Sequence, residues 1–185
     1  MYYKIIEKFS PSDGERWQSY LKSRGLDLTC FDSVDSILRP DLFDPRSHED
    51  WANCVNENYK LNLITNSNYA RKILPRYHNA DLVGVEIELD EAYMPKDGLL
   101  GYDIIDVECS ISVITNWGTD KENLINPHFL INPHLMANGL IGNLPQALHI
   151  CDLLRQTFPN DPHVKECEVW AVYSVDDQAE CLCLC

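Results

Sequence analysis

The sequence predicts an α+β fold, with one antiparallel sheet and helices packed on it, in a single globular domain over 1–185 that closes in a cysteine-rich tail at 176–185. Three observations carry this. Apolar and polar residues alternate at a period of two in Leu82–Asp90 and again in Tyr102–Trp117, as in strands with one wet face. Large apolar residues recur at helical spacing before Gly25 and between Leu144 and Phe158. Strands and helices then follow one another without the βαβ rhythm of a parallel sheet. At 185 residues, 45% of them apolar and 10% aromatic, the chain can bury one real core.

Taken in order, Tyr2 to Phe9 reads as an opening strand. Ser12 caps a helix with Glu15 three residues on, and Trp17, Tyr20 and Leu21 share its stripe until Gly25 stops it. A short helix is expected around Val34 to Leu38, before a turn at Arg39, Pro40 and Asp41. Ser47 can cap a further helix through about Asn58, with Trp51, Val55 and Tyr59 on one stripe, followed by a short apolar run at Leu61, Leu63 and Ile64. Asn68 to Leu74 predicts one or two helical turns ended near Pro75. In Leu82–Asp90, Val83, Val85, Ile87 and Leu89 share the core face while Glu86, Glu88 and Asp90 share the other. In Tyr102–Trp117, Ile105, Val107, Cys109, Ile111 and Val113 alternate with Asp106, Glu108, Ser110 and Ser112. These two segments are expected to pair antiparallel across a protruding loop, Glu91–Gly101, rich in turn formers. The echo Ile125-Asn126-Pro127-His128 and Ile131-Asn132-Pro133-His134 reads as paired turns in an irregular loop that continues through Gly139, Gly142 and Asn143. Leu144 to Phe158 is an amphipathic helix with Leu148, Cys151, Leu153 and Leu154 inward, and Val164–Val175, apolar on both faces at its end, suits a central strand.

The charge is local. Between Asp81 and Asp120 stand ten carboxylates and one base, Lys96, a net of −9 out of −14 for the whole chain. A sequence pI near 4.6 excludes nonspecific binding to nucleic acid or an anionic membrane and makes basic proteins the natural partners. On the expected sheet, Glu86, Glu88 and Asp90 form a ladder with Asp106 and Glu108 opposite. Same-face neighbours about 7 Å apart repel by roughly 0.6 kcal/mol per pair in water. Such a face either serves solubility or meets the Lys and Arg residues of a cationic partner. A divalent metal site needs carboxylates converging on a point, whereas a ladder spreads them, so no metal or other cofactor is expected.

The remaining constellations carry less chemistry. His128 and His134 lack the one-turn spacing of helical ligand pairs, and no nucleophile elbow, phosphate loop, paired CxxC or HExxH motif occurs. No enzyme is therefore expected. The alternative keeps a metal-dependent or carboxylate-dependent hydrolase with its site near Asp103, Asp106 and the histidine loop, and a small acidic scaffold domain is the third reading. Met1–Ser10 mixes Lys4, Glu7 and Lys8 into its apolar run with no signal-peptide pattern, and no run of about 18 apolar residues could span a bilayer. A cytoplasmic chain with reduced thiols is expected. Cys30, Cys54, Cys109, Cys151 and Cys167 then read as small core residues, and Cys181, Cys183 and Cys185 as an edge strand or packed tail with Leu182 and Leu184 inward.

Gly101-Tyr102-Asp103, then Thr115-Asn116-Trp117-Gly118, then Asn138-Gly139-Leu140 before a helix containing Ala147 and a final aromatic strand resemble small acidic bacterial immunity proteins. These neutralise toxins of contact-dependent and polymorphic-toxin competition. The resemblance spans about half the chain. It implies a cytoplasmic, non-enzymatic inhibitor whose partner is a cognate basic toxin domain, commonly a nuclease. The cysteine-rich tail has no counterpart in that pattern. From the charge argument, the expected contact residues are Glu86, Glu88, Asp90, Asp106 and Glu108, with Tyr93, Tyr102 and Trp117 as aromatic anchors. The oligomeric state is left open.

Overall fold

A computed structural model describes residues 1–7, 53–55, 63–77, 80–108, 110–116, 135–136 and 138–175. The described elements are β1 (Tyr2–Glu7), β2 (Cys54–Val55), β3 (Leu63–Ile64), α1 (Ser67–Ile73), β4 (Ala80–Glu86), β5 (Leu99–Asp106), β6 (Ile111–Ser112), α2 (Val113–Asn116), α3 (Leu144–Thr157) and β7 (Glu168–Ser174). The strands form one antiparallel sheet in the order β2-β3-β1-β4-β7-β5-β6. With helices packed on that sheet, the fold is α+β. No helix among the described residues is long and apolar enough to cross a membrane. The expected helices after Ser12 and around Val34, the histidine echo and the Cys181–Cys185 tail lie outside the described residues.

Local chemistry sets the helices. Asn66 caps α1, its side-chain oxygen accepting from the amides of Asn68 and Tyr69, and a 3-10 turn at Leu74–Arg76 with Pro75 ends the helical stretch. Asn143 caps α3 by accepting from the Gln146 amide at 2.9 Å. The inward stripe of α3 is Leu144, Ala147, Ile150, Cys151 and Leu154, so Cys151 and Leu154 face inward as expected, whereas Leu148 and Leu153 are only half-buried at its margin. Together with Tyr102, Ile104, Val169, Ala171 and Tyr173, this stripe makes one core. On the same sheet face, α1 contributes Tyr69, Ala70 and Ile73 to a second core with Ile5, Ile64 and Leu82. The opposite face buries Ile6, Val83, Val85, Ile105, Trp170 and Val172.

Buried polar groups lie among these apolar ones. Lys4 is 1% exposed, and its Nζ donates to the Ser110 carbonyl in the β5–β6 turn. Three strand spacings separate β1 from β5, about 14 Å on a flat sheet and further than a lysine side chain reaches. The sheet therefore curls about an axis running along its strands, and Lys4 bridges the curl.

Five expectations are corrected. Cys54–Val55 is a strand and not part of a helix through Asn58: Cys54 pairs with Ile64 and Val55 with Leu63, so long-range pairing overrides the local helical stripe. The strand expected over Leu82–Asp90 ends at Glu86, and Glu88 adopts a left-handed backbone, φ 59°. It also has no wet face, because Leu82 and Gly84 are buried on one side of the sheet and Val83 and Val85 on the other. The run Tyr102–Trp117 breaks into two strands and a short helix. The Asp106 carbonyl accepts from Ser110 N at 2.7 Å, and Ile105 and Asp106 fold back on Ser112 and Ile111. Finally, β4 and β5 do not pair. β7 lies between them, and the 87–98 connection steps over it. This separates carboxylates that would repel across a direct pair.

Candidate functional site

The acidic ladder accordingly does not exist as a row on the sheet. Glu86 ends β4, 12% exposed at its side chain, and Glu88 and Asp90 stand exposed on the connection that follows. Asp106 ends β5, two strands away, and is 3% exposed. Its Oδ2 accepts a 2.6 Å hydrogen bond from His163 Nδ1, while its Oδ1 caps the turn at Glu108 N. Glu108 is exposed in that turn. Tyr102 is a core residue under α3, 3% exposed, and so is not a surface anchor in this conformation. Trp117 lies outside the described residues. Of the expected contact residues, the structure brings Glu86 and Tyr93 into direct contact and groups them with Glu88 and Asp90.

That group is the 87–98 connection, a loop pinned at several points. Asp90 Oδ1 accepts from Ala92 N at 2.9 Å and its carbonyl from Tyr93 N at 3.1 Å, which turns the chain back toward the sheet. Tyr93 then reaches inward. Its hydroxyl donates to Glu86 Oε2 at 2.5 Å and meets the Tyr173 hydroxyl of β7. The Lys96 amide donates to Tyr173 Oη at 3.3 Å, and Lys96 Nζ pairs with Glu86 Oε1. At its end, Ser174 N donates to the Gly98 carbonyl, with Gly98 at φ 83°, a conformation glycine adopts without strain.

The charges respond to this arrangement. Burial works against the ionised Glu86 carboxylate, but the Lys96 and Tyr93 hydrogen bonds outweigh it and hold its pKa below the ordinary 4.5. Burial, then the bonds to Glu86 and Tyr173, push the Tyr93 phenol well above its ordinary 10. The Glu86 bond raises Lys96. The loop's base is thus committed to Glu86, while Glu88, Asp90, Glu91 and Asp97 all face solvent. Among them Met94 is 79% exposed.

Sequence reasoning missed Met94, Lys96, Tyr173 and His163. Met94 stands beside Pro95 among turn formers, and that was the available signal: an apolar residue in a polar turn has no core to enter. Of the alternative hydrolase arrangement, the histidine loop lies outside the described residues. Asp103 and Asp106 are three residues apart on β5 and point to opposite faces, with Asp103 Oδ1 accepting from Ser112 Oγ at 2.7 Å. Among the described residues, no group of three His, Cys, Asp or Glu side chains is placed to hold a metal ion. No family model matches the chain, and comparison with curated proteins and with solved structures gave no match.

Proposed function

We propose that this chain is a cytoplasmic inhibitor of the immunity-protein kind that neutralises a basic toxin domain, and that it does so through the 87–98 loop rather than through a sheet face. The observation that carries the reading is the pairing of an exposed Met94 with four exposed carboxylates on a loop held by Tyr93. Four unneutralised acids steer a cationic partner and stand where its nucleic-acid phosphates would lie. Methionine is a flexible apolar side chain that adapts to an irregular surface. Holding the loop in advance lowers the ordering cost of binding.

Stopped-flow association with the proposed cognate toxin domain, a basic nuclease domain, tests the assignment. Glu88→Lys with Asp90→Lys is expected to slow association by an order of magnitude or more at low salt, with the gap closing as salt rises. Met94→Ala is expected to act on dissociation instead. An on-rate indifferent to both charge reversals removes the loop from the interface.

A further inference from the structure

We propose that Cys151 and Cys167 form a reversible intramolecular disulfide on exposure to a hydroperoxide. Cys151 lies in the third turn of α3, and Cys167 immediately precedes β7. Both are buried in the core beneath the helix, and their sulfurs stand 3.6 Å apart. The Cys151 thiol also donates to the Cys167 carbonyl at 3.4 Å, which leaves the Cys167 S–H to point at the Cys151 sulfur. Arg155, one turn further along α3, donates to that same carbonyl and places its guanidinium beside the pair.

Buried single cysteines ordinarily act as small apolar residues. Two features separate this pair from that role. The sulfurs already touch, so a bond of about 2.0 Å needs only a small adjustment of side-chain torsions. The hydrogen bond from Cys167, reinforced by the positive charge of Arg155, also lowers the Cys151 thiol below its ordinary 9.0, against the effect of burial. Metal capture is disfavoured because the described residues offer the pair no third ligand.

The chemistry balances with one oxidant. The Cys151 thiolate attacks one oxygen of hydrogen peroxide and breaks the O–O bond. Cys151 becomes a sulfenic acid, and the hydroxide released takes up a proton to leave as water. The Cys167 sulfur then attacks the Cys151 sulfur, forming the S–S bond, and the displaced hydroxyl departs with the Cys167 proton as a second water. The peroxide is reduced by two electrons and the two thiols are oxidised by two; a small dithiol reverses the step. The bond would close a ring over 151–167. That ring contains His163, which is bonded to Asp106, and so would fasten the return segment to α3.

The test uses the full chain treated with hydrogen peroxide, then denatured, alkylated and mapped by mass spectrometry. Cys30, Cys54, Cys109, Cys181, Cys183 and Cys185 serve as internal comparators. A Cys151–Cys167 cross-linked peptide that dithiothreitol removes is the expected product. It should come with a rise in Tm of roughly 5 °C that Cys151→Ala and Cys167→Ala each abolish. Recovery of Cys151 and Cys167 as free thiols or sulfinic acids, or cross-linked to other cysteines, overturns the proposal. The mapping needs only the unaltered chain, so it decides the question even where an alanine variant folds poorly.

Discussion

Tyr93 does more for the loop than any other side chain in it, because a single hydroxyl joins β4 through Glu86 and β7 through Tyr173. Tyr93→Phe keeps the ring and deletes those bonds, so it is expected to lower stability by about 1–2 kcal/mol in urea unfolding. The same group dictates a pH window. The Glu86 carboxyl is depressed in the folded state, so its contribution is present above the ordinary 4.5 and is lost as pH falls through the folded value. Tyr93 and Lys96 are raised, so their contributions are present below the ordinary 10.0 and 10.5 and are lost as pH climbs through the folded values. Urea midpoints followed against pH should therefore fall at both extremes, and Glu86→Gln should flatten the acid limb. An acid limb unchanged by Glu86→Gln would show that the Glu86 pair contributes nothing to it.

At the level of elements, the periodicities identified what each segment is better than what it touches. β1, β7 and α3 were legible because apolar spacing at 2 or 3.6 residues is a property of the segment alone. The neighbour of a strand is not such a property. Alternation shows which residues of β4 and β5 share a face, but nothing in either segment reveals that β7 comes between them. Cys54–Val55 was misread for the same reason, since its pairing with Leu63–Ile64 is decided about ten residues away. In the site, the alternation of Leu82–Asp90 marks Glu88 and Asp90 as exposed but puts them on a strand rather than on the connection after Glu86, while the partner of Asp106, His163, stands 57 residues away. One backbone feature of β5 makes a sharp prediction. Gly101 sits at φ 145° at a register shift, and a Cβ there would lie 2.6 Å from Met136 Cε and 2.8 Å from Leu140 Cβ. Gly101→Ala combines a backbone conformation unfavourable to alanine with a clash in the core, and a loss of about 2–3 kcal/mol in urea unfolding is expected.

For the molecule as a whole, the acidity divides by place. Asp103 and Asp106 are built into the sheet as buried acceptors, Glu86 holds a loop down, and Glu88, Asp90, Glu91 and Asp97 remain as free surface charge. A curled sheet tied by Lys4 gives that loop a rigid base, and Met94 gives it an apolar tip. The proposed inhibitor thus separates the acids that fold it from the acids that bind. The most direct test is an inhibition titration of the proposed cognate toxin domain, a basic nuclease domain. Its activity would be measured with the unaltered protein and with Glu88, Asp90 and Glu91 all changed to Lys. The unaltered chain should inhibit stoichiometrically. The variant, still folded, should need at least roughly tenfold more protein for the same effect, given the few kcal/mol that like-charge contacts cost. Equal potency of the two proteins, or no inhibition by the unaltered chain, would overturn the proposed role of the loop.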